Sequence, residues 1–103
     1  MGGTSDGPSI HVGLCVVQLH LPGVTSLKGK RQILRSLKDR LREHHNVAVA
    51  EVEHQDLWQR ATIGIVGIAS AHVRLEQTFE SIQDEMERRV PGELVAFEVE
   101  YLS

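Results

Sequence analysis

Residues 47–70 read VAVAEVEHQDLWQRATIGIVGIAS, and this stretch decides the fold. Residues 47–54 set Val47, Val49 and Val52 among small and polar residues, which suits a short strand. Residues 59–70 form a longer apolar run, loosened by Gly64 and Gly67, and read as a second strand. Only residues 55–58 lie between them. A link this short joins antiparallel neighbours and leaves no room for a crossover helix.

Helical spacing appears on both sides of this hairpin. Downstream, Leu75, Phe79, Ile82, Met86 and Val90 recur at helical steps over residues 71–90, and Pro91-Gly92 ends the run. Upstream, Ser26 offers an N-cap to residues 27–44, where Ile33, Leu34, Leu37 and Leu41 make one apolar face and Asn46 marks the end. Two outer strands complete the set. Residues 10–21 (IHVGLCVVQLHL) are apolar in both parities, as in a central strand, and Pro22-Gly23 stops them. Residues 93–102 alternate, with Val95, Phe97, Val99 and Tyr101 on one face and Ala96, Glu98 and Glu100 on the other. That pattern, guarded by acids, suits an edge strand.

The order is therefore β-α-β-β-α-β, and the right-handed crossover rule leaves few topologies for it. The simplest is the ferredoxin-like α+β sandwich, a four-stranded antiparallel sheet with both helices on one face. At 103 residues the chain makes one domain, expected over 10–103, with residues 1–9 (MGGTSDGPS) as a disordered tail. The sixth residue is Asp6, which breaks the myristoylation pattern, and no apolar stretch follows a basic start. The longest apolar runs are too short to span a membrane, and the single cysteine, Cys15, sits within a strand. A cytoplasmic, reducing setting is expected.

Charge is unevenly placed. Residues 28–42, KGKRQILRSLKDRLR, hold seven of the eleven Lys and Arg and one acid, for a net +6 in a chain whose total is −3. At 100° per residue Lys28, Arg31, Arg35, Lys38 and Arg42 fall in a stripe roughly 80° wide, with Lys30 set near the apolar side. Such a ribbon, about 20 Å long, suits a phosphate backbone. The acids Glu76, Glu80, Asp84 and Glu87 give the second helix the opposite bias, so pairing between the helices is the competing use of the ribbon. In this architecture the far face of the sheet is uncovered. The first strand nonetheless carries Leu14 and Val16 in one parity and Cys15, Val17 and Leu19 in the other, which predicts a homo-oligomer, a dimer, through that face.

Sites of chemistry are sparse. The first and third strands have no aromatic residue, so base stacking on the sheet is excluded and any RNA contact relies on charge and shape. The turn His54-Gln55-Asp56-Leu57-Trp58-Gln59-Arg60 holds the only Trp among hydrogen-bonding side chains. It reads either as a docking turn through His54, Gln55, Asp56 and Trp58, or as a capped hairpin anchored by Trp58. His54 and Asp56 alone make no metal site. His44 and His45 suit a helix C-terminus, and Cys15 has no neighbouring base. The helix-start loop, with Lys28 and Lys30, offers a weak anion site. No catalytic residue, cofactor or metal is expected.

Ser26-Leu27-Lys28-Gly29-Lys30-Arg31, Val49-Ala50-Glu51-Val52 and the stretch from His54 to Ala61 resemble the small bacterial YlxP-like family of unknown function. Gly29 departs from the charged residue usual between the two lysines. The resemblance covers residues 10–101 and implies a ferredoxin-like fold and a gene often beside translation and ribosome-maturation factors. It brings no catalytic residue. The expected role is a non-enzymatic accessory protein contacting structured rRNA or the ribosome through Lys28, Lys30, Arg31, Arg35, Lys38, Arg42 and Arg60. The alternative is a self-associating protein-interaction module with no nucleic-acid role.

Overall fold

The computed structural model describes residues 8–102. Up to Gly7 the expected tail at 1–9 lies outside the described residues. Six elements follow in the expected order: β1 (His11–His20), α1 (Leu27–His44), β2 (Val47–Glu53), β3 (Arg60–Ala69), α2 (His72–Arg89) and β4 (Glu93–Tyr101). The sheet order is β2-β3-β1-β4 and every neighbouring pair is antiparallel. The two most apolar strands are the central ones, since only they are paired on both sides.

One parity of each strand faces the helices. Cys15, Val17 and Leu19 of β1 sit opposite Ile65, Ile63 and Ala61 of β3, and all six are buried. Leu34, Leu37 and Leu41 of α1 and Leu75, Phe79, Ile82 and Met86 of α2 close over them in a single core. Both helices therefore lie on one face, as a ferredoxin-like sandwich requires. Burial pushes the Cys15 thiol up to about 12, which suits a core residue and disfavours the nucleophilic thiolate.

The ends of the elements follow local chemistry. Ser26 Oγ accepts from the Gly29 amide at 3.0 Å and caps α1. At the end of α2, Gly92 lies so close to β1 that a Cβ there would meet the His20 carbonyl oxygen. Gly13 lies beneath the helices in the same way, where a Cβ would stand 2.6 Å from Phe79 Cε2.

One expected face is corrected. In β4, Gln18 pairs with Ala96 but Leu19 pairs with Leu94, so a bulge at Val95 resets the alternation. Leu94 packs against the core, and Val95 is turned out and 61% exposed. One extra residue sends everything before it to the opposite face.

The other parity makes the far face of the sheet. Val66 and Ile68 are exposed there, half-buried Leu14 and Val16 adjoin them, and Glu98 and Glu100 of β4 border the row. Among the described residues no helix is long and apolar enough to cross a membrane.

Candidate nucleic-acid interface and the clamped turn

Lys30 stands in the second turn of α1, on the side that faces the sheet, and is 1% exposed. Its Nζ donates to the carbonyl oxygens of His54 at 2.5 Å and Leu57 at 2.6 Å. Glu51 Oε2 lies 2.8 Å away. Glu51 pairs with Ile63 on the helix-facing parity of β2, which brings its carboxylate to the ammonium. The donor directions favour the carbonyls, so Glu51 is held by charge more than by an aligned hydrogen bond. A buried ammonium without such partners would cost several kcal/mol.

The clamp shapes the turn between β2 and β3. His54 adopts a left-handed conformation, φ 63°, which a non-glycine residue holds only where its surroundings enforce it. Lys30 fixes its carbonyl, and its ring Nδ1 lies 2.8 Å from Thr62 Oγ1. Gln59 ties the same turn to the β1–α1 loop: its Nε2 donates to the carbonyls of Pro22 and Val24, both at 3.2 Å. The Leu21 amide donates to the Gln59 carbonyl at 2.8 Å. Among the expected docking residues, His54 is thus part of the scaffold, and Gln55 reaches back toward the Glu51 carbonyl at 3.5 Å. Asp56 and Trp58 point outward, as does Leu57, which sequence reasoning passed over.

The phosphate-contact role expected for Lys30 is therefore corrected: its charge is enclosed and neutralised by Glu51. The anion site expected at the start of α1 loses that lysine, and its Gly29 amide is taken by Ser26. Lys28, Arg31 and Arg35 are exposed and Lys38 is half-buried. Arg42 is exposed but pinned: its Nη2 donates to the Val49 carbonyl at 2.8 Å, and its Nη1 lies 3.7 Å from Asp39 Oδ1. That bond places the stripe beside edge strand β2. Gln32, Ser36 and Arg40 border a groove shared with Arg89 at the end of α2, and Arg35 of the stripe lines its outer part. Among the described residues no acid of α2 pairs with Lys28, Arg31, Arg35, Lys38 or Arg42.

Arg60 does not join this ribbon. Its neighbours in β3 fix the parity: Ala61, Ile63 and Ile65 face the helices, so Arg60 lies on the far face, paired with His20. There it borders a shallow cavity of about 600 Å³ next to Trp58.

The acid of α2 that does engage α1 is Glu85, a residue absent from the expected acidic side. Its Oε1 lies 3.0 Å from His44 Nδ1 and its Oε2 4.0 Å from His45 Nε2. The latter two atoms are buried and without hydrogen-bond partners among the described residues. Desolvation holds His45 below its ordinary value of 6.5, the Glu85 charge opposes this, and His44 adds to it. Among the described residues no three His, Cys, Asp or Glu side chains gather to hold a metal ion.

Comparison with known proteins gives a family and a fold. A family model described as "Protein of unknown function (DUF503)" matches residues 12–99. The Bacillus subtilis (strain 168) protein described as "Uncharacterized protein YlxP" is 35% identical over 57 residues, 55% of this chain. The match spans 62% of that relative's length. A C-terminal segment of the alpha subunit of aIF2 from Pyrococcus abyssi superposes with a TM-score of 0.52 at 20% identity, covering 89% of this chain and 49% of that one. A structural-genomics protein, YJCS, superposes at 0.51 with 8% identity, covering 89% and 99% of the two chains. At these identities the superpositions speak for the fold alone.

Lys30→Met strips the buried carboxylate and two carbonyls of their cation, and is expected to lower stability by about 3–5 kcal/mol in urea unfolding. Lys30→Met with Glu51→Leu should recover much of that loss. A single-variant cost below about 1 kcal/mol would show that the clamp carries little. A second expectation concerns acid. The folded chain holds His45 below 6.5, so below that pH the unfolded chain binds more protons and stability falls as pH drops. His45→Gln should flatten the unfolding midpoint between pH 7 and 5; an unchanged slope would assign the effect elsewhere.

Proposed function

Because the chain belongs to the DUF503 family, as its YlxP-like motifs suggested, and that family is described as of unknown function, we propose a role from its own surface: a non-enzymatic, cytoplasmic accessory protein that contacts structured RNA through the outer flank of α1. One observation carries this reading. Lys28, Arg31, Arg35 and Lys38 lie on the solvent side of α1, where Arg35 also borders the groove with Arg89, and none of them is paired with an acid of α2 among the described residues. Ten helical steps separate Lys28 from Lys38, about 15 Å, enough to follow consecutive phosphates of one strand. With no aromatic on β1 or β3, the helix flank reads charge and shape, which suits the backbone of folded rRNA or a maturing ribosome.

Four phosphate contacts predict a plot of log affinity against log salt with a slope near −3. Binding to small-subunit particles and rRNA fragments, followed from 50 to 200 mM salt (roughly the range over which such contacts weaken), measures it. The triple variant Arg31→Glu, Arg35→Glu, Lys38→Glu should abolish binding. No binding at low salt, or an unaffected triple variant, would sink the reading.

A second reading rests on a separate surface. We propose that the apolar row Leu14, Val16, Val66 and Ile68 on the far face of the sheet joins two copies of the chain. It leaves the basic flank free, so the two readings are compatible. Light scattering at low micromolar concentration should report a dimer, and Val66→Glu with Ile68→Glu a monomer. A monomeric wild-type chain counts against it.

A further inference from the structure

The cavity beside the clamped turn is used by neither proposal. It measures about 600 Å³ and is lined by His20, Asp56, Leu57, Trp58, Gln59 and Arg60. It is shallow and open, so it suits a flat group laid against its wall. Trp58 is the only Trp of the chain and is 52% exposed. An indole left in water on a loose loop would carry little information. This one stands on a turn whose backbone is secured by Lys30, His54 and Gln59.

The polar groups around the ring divide cleanly. The Gln59 amide donates to two backbone carbonyls, and His20 Nδ1 lies 3.7 Å from Glu93 Oε2. That leaves the Asp56 carboxylate and the Arg60 guanidinium, whose side chains have no ion-pair or hydrogen-bond partner among the described residues. One offers only acceptors and the other only donors. From these groups we propose that the cavity holds an unpaired guanine base stacked on Trp58.

The base edges decide among the nucleotides. Guanine presents two adjacent donors, N1–H and the N2 amino group, to a carboxylate, and two acceptors, O6 and N7, to an arginine. Adenine and cytosine set an acceptor beside their amino group, which a carboxylate opposes. Uracil has one donor between two carbonyls. Guanine therefore satisfies both Asp56 and Arg60, and Trp58 supplies the face on which any base stacks. This deepens the RNA reading, because an unpaired guanine in a folded RNA is the natural source of the base. A free guanine nucleotide offers the same chemistry.

The test uses the fluorescence of the single Trp. Hairpin RNAs share one stem and carry a bulged G, A, C or U, alongside a fully paired stem and GMP. The bulged-G hairpin should quench Trp58 and bind about tenfold more tightly than the bulged-A hairpin. Trp58→Ala, which removes the fluorophore and is followed by filter binding of labelled RNA, should lose that preference and keep stem binding. Asp56→Asn should lose the preference for guanine and keep the quenching. Equal binding of all four hairpins overturns the guanine site while the RNA reading survives. Quenching by GMP without stem binding at low salt supports the site and ends the RNA reading. No quenching by any nucleotide overturns the proposal and leaves Leu57 and Trp58 to a protein partner.

Discussion

A buried ammonium holds the start of α1, the end of β2 and the turn after it together. Lys30 belongs to α1, its counter-ion Glu51 to β2, and its two carbonyl acceptors to the turn that follows. Removing a charge from water is costly unless each donor is matched, so these pieces are tied to one another more firmly than exposed ion pairs would tie them. The left-handed His54 and the outward Trp58 follow from that constraint. Apolar packing orders the rest of the domain, but it does not determine where this turn sits.

The same interaction changes how the basic helix is counted. Residues 28–42 hold seven cations, yet they serve different ends. Lys30 is internal. Arg42 covers a carbonyl of the edge strand and sits near Asp39, which also blunts an edge open to pairing with another chain. Arg40 faces α2 across the groove with Arg89. Four cations, Lys28, Arg31, Arg35 and Lys38, remain without such a partner among the described residues, and the proposed RNA contact rests on them. Among the described residues none of them is paired with an acid of α2.

Much of this was legible in the sequence, and the failures have definite causes. Element order, the central strands and the Ser26 cap followed from periodicity, because burial on one side of the sheet imposes it. The near-apolar placement of Lys30 on its helix already hinted at burial, but Glu51 lies 21 residues away and only the fold brings them together. Arg60 was grouped by charge with α1, although the inward parity of Ala61 and Ile63 assigns it to the far face. The bulge at Val95 leaves no mark in an alternating pattern, since the extra residue resets register without breaking polarity. Glu85 and His45 meet only because two helices pack side by side.

Burying the lysine has a consequence for recognition. A flexible loop must be ordered when it binds, and that ordering weakens affinity. Here Lys30 binds the Leu57 carbonyl before Trp58, and Gln59, the residue after it, is tied to the β1–α1 loop, which lessens what binding must order. The energetic burden falls on folding, where one well-matched buried charge meets it, and not on association. Lys30 thus shapes the proposed binding surface from within the fold. It also lies one residue from Arg31 and two from Lys28, so the clamp links the start of the basic helix directly to the turn. A ligand that spans both surfaces meets fixed geometry, and shape can then discriminate where base contacts are few.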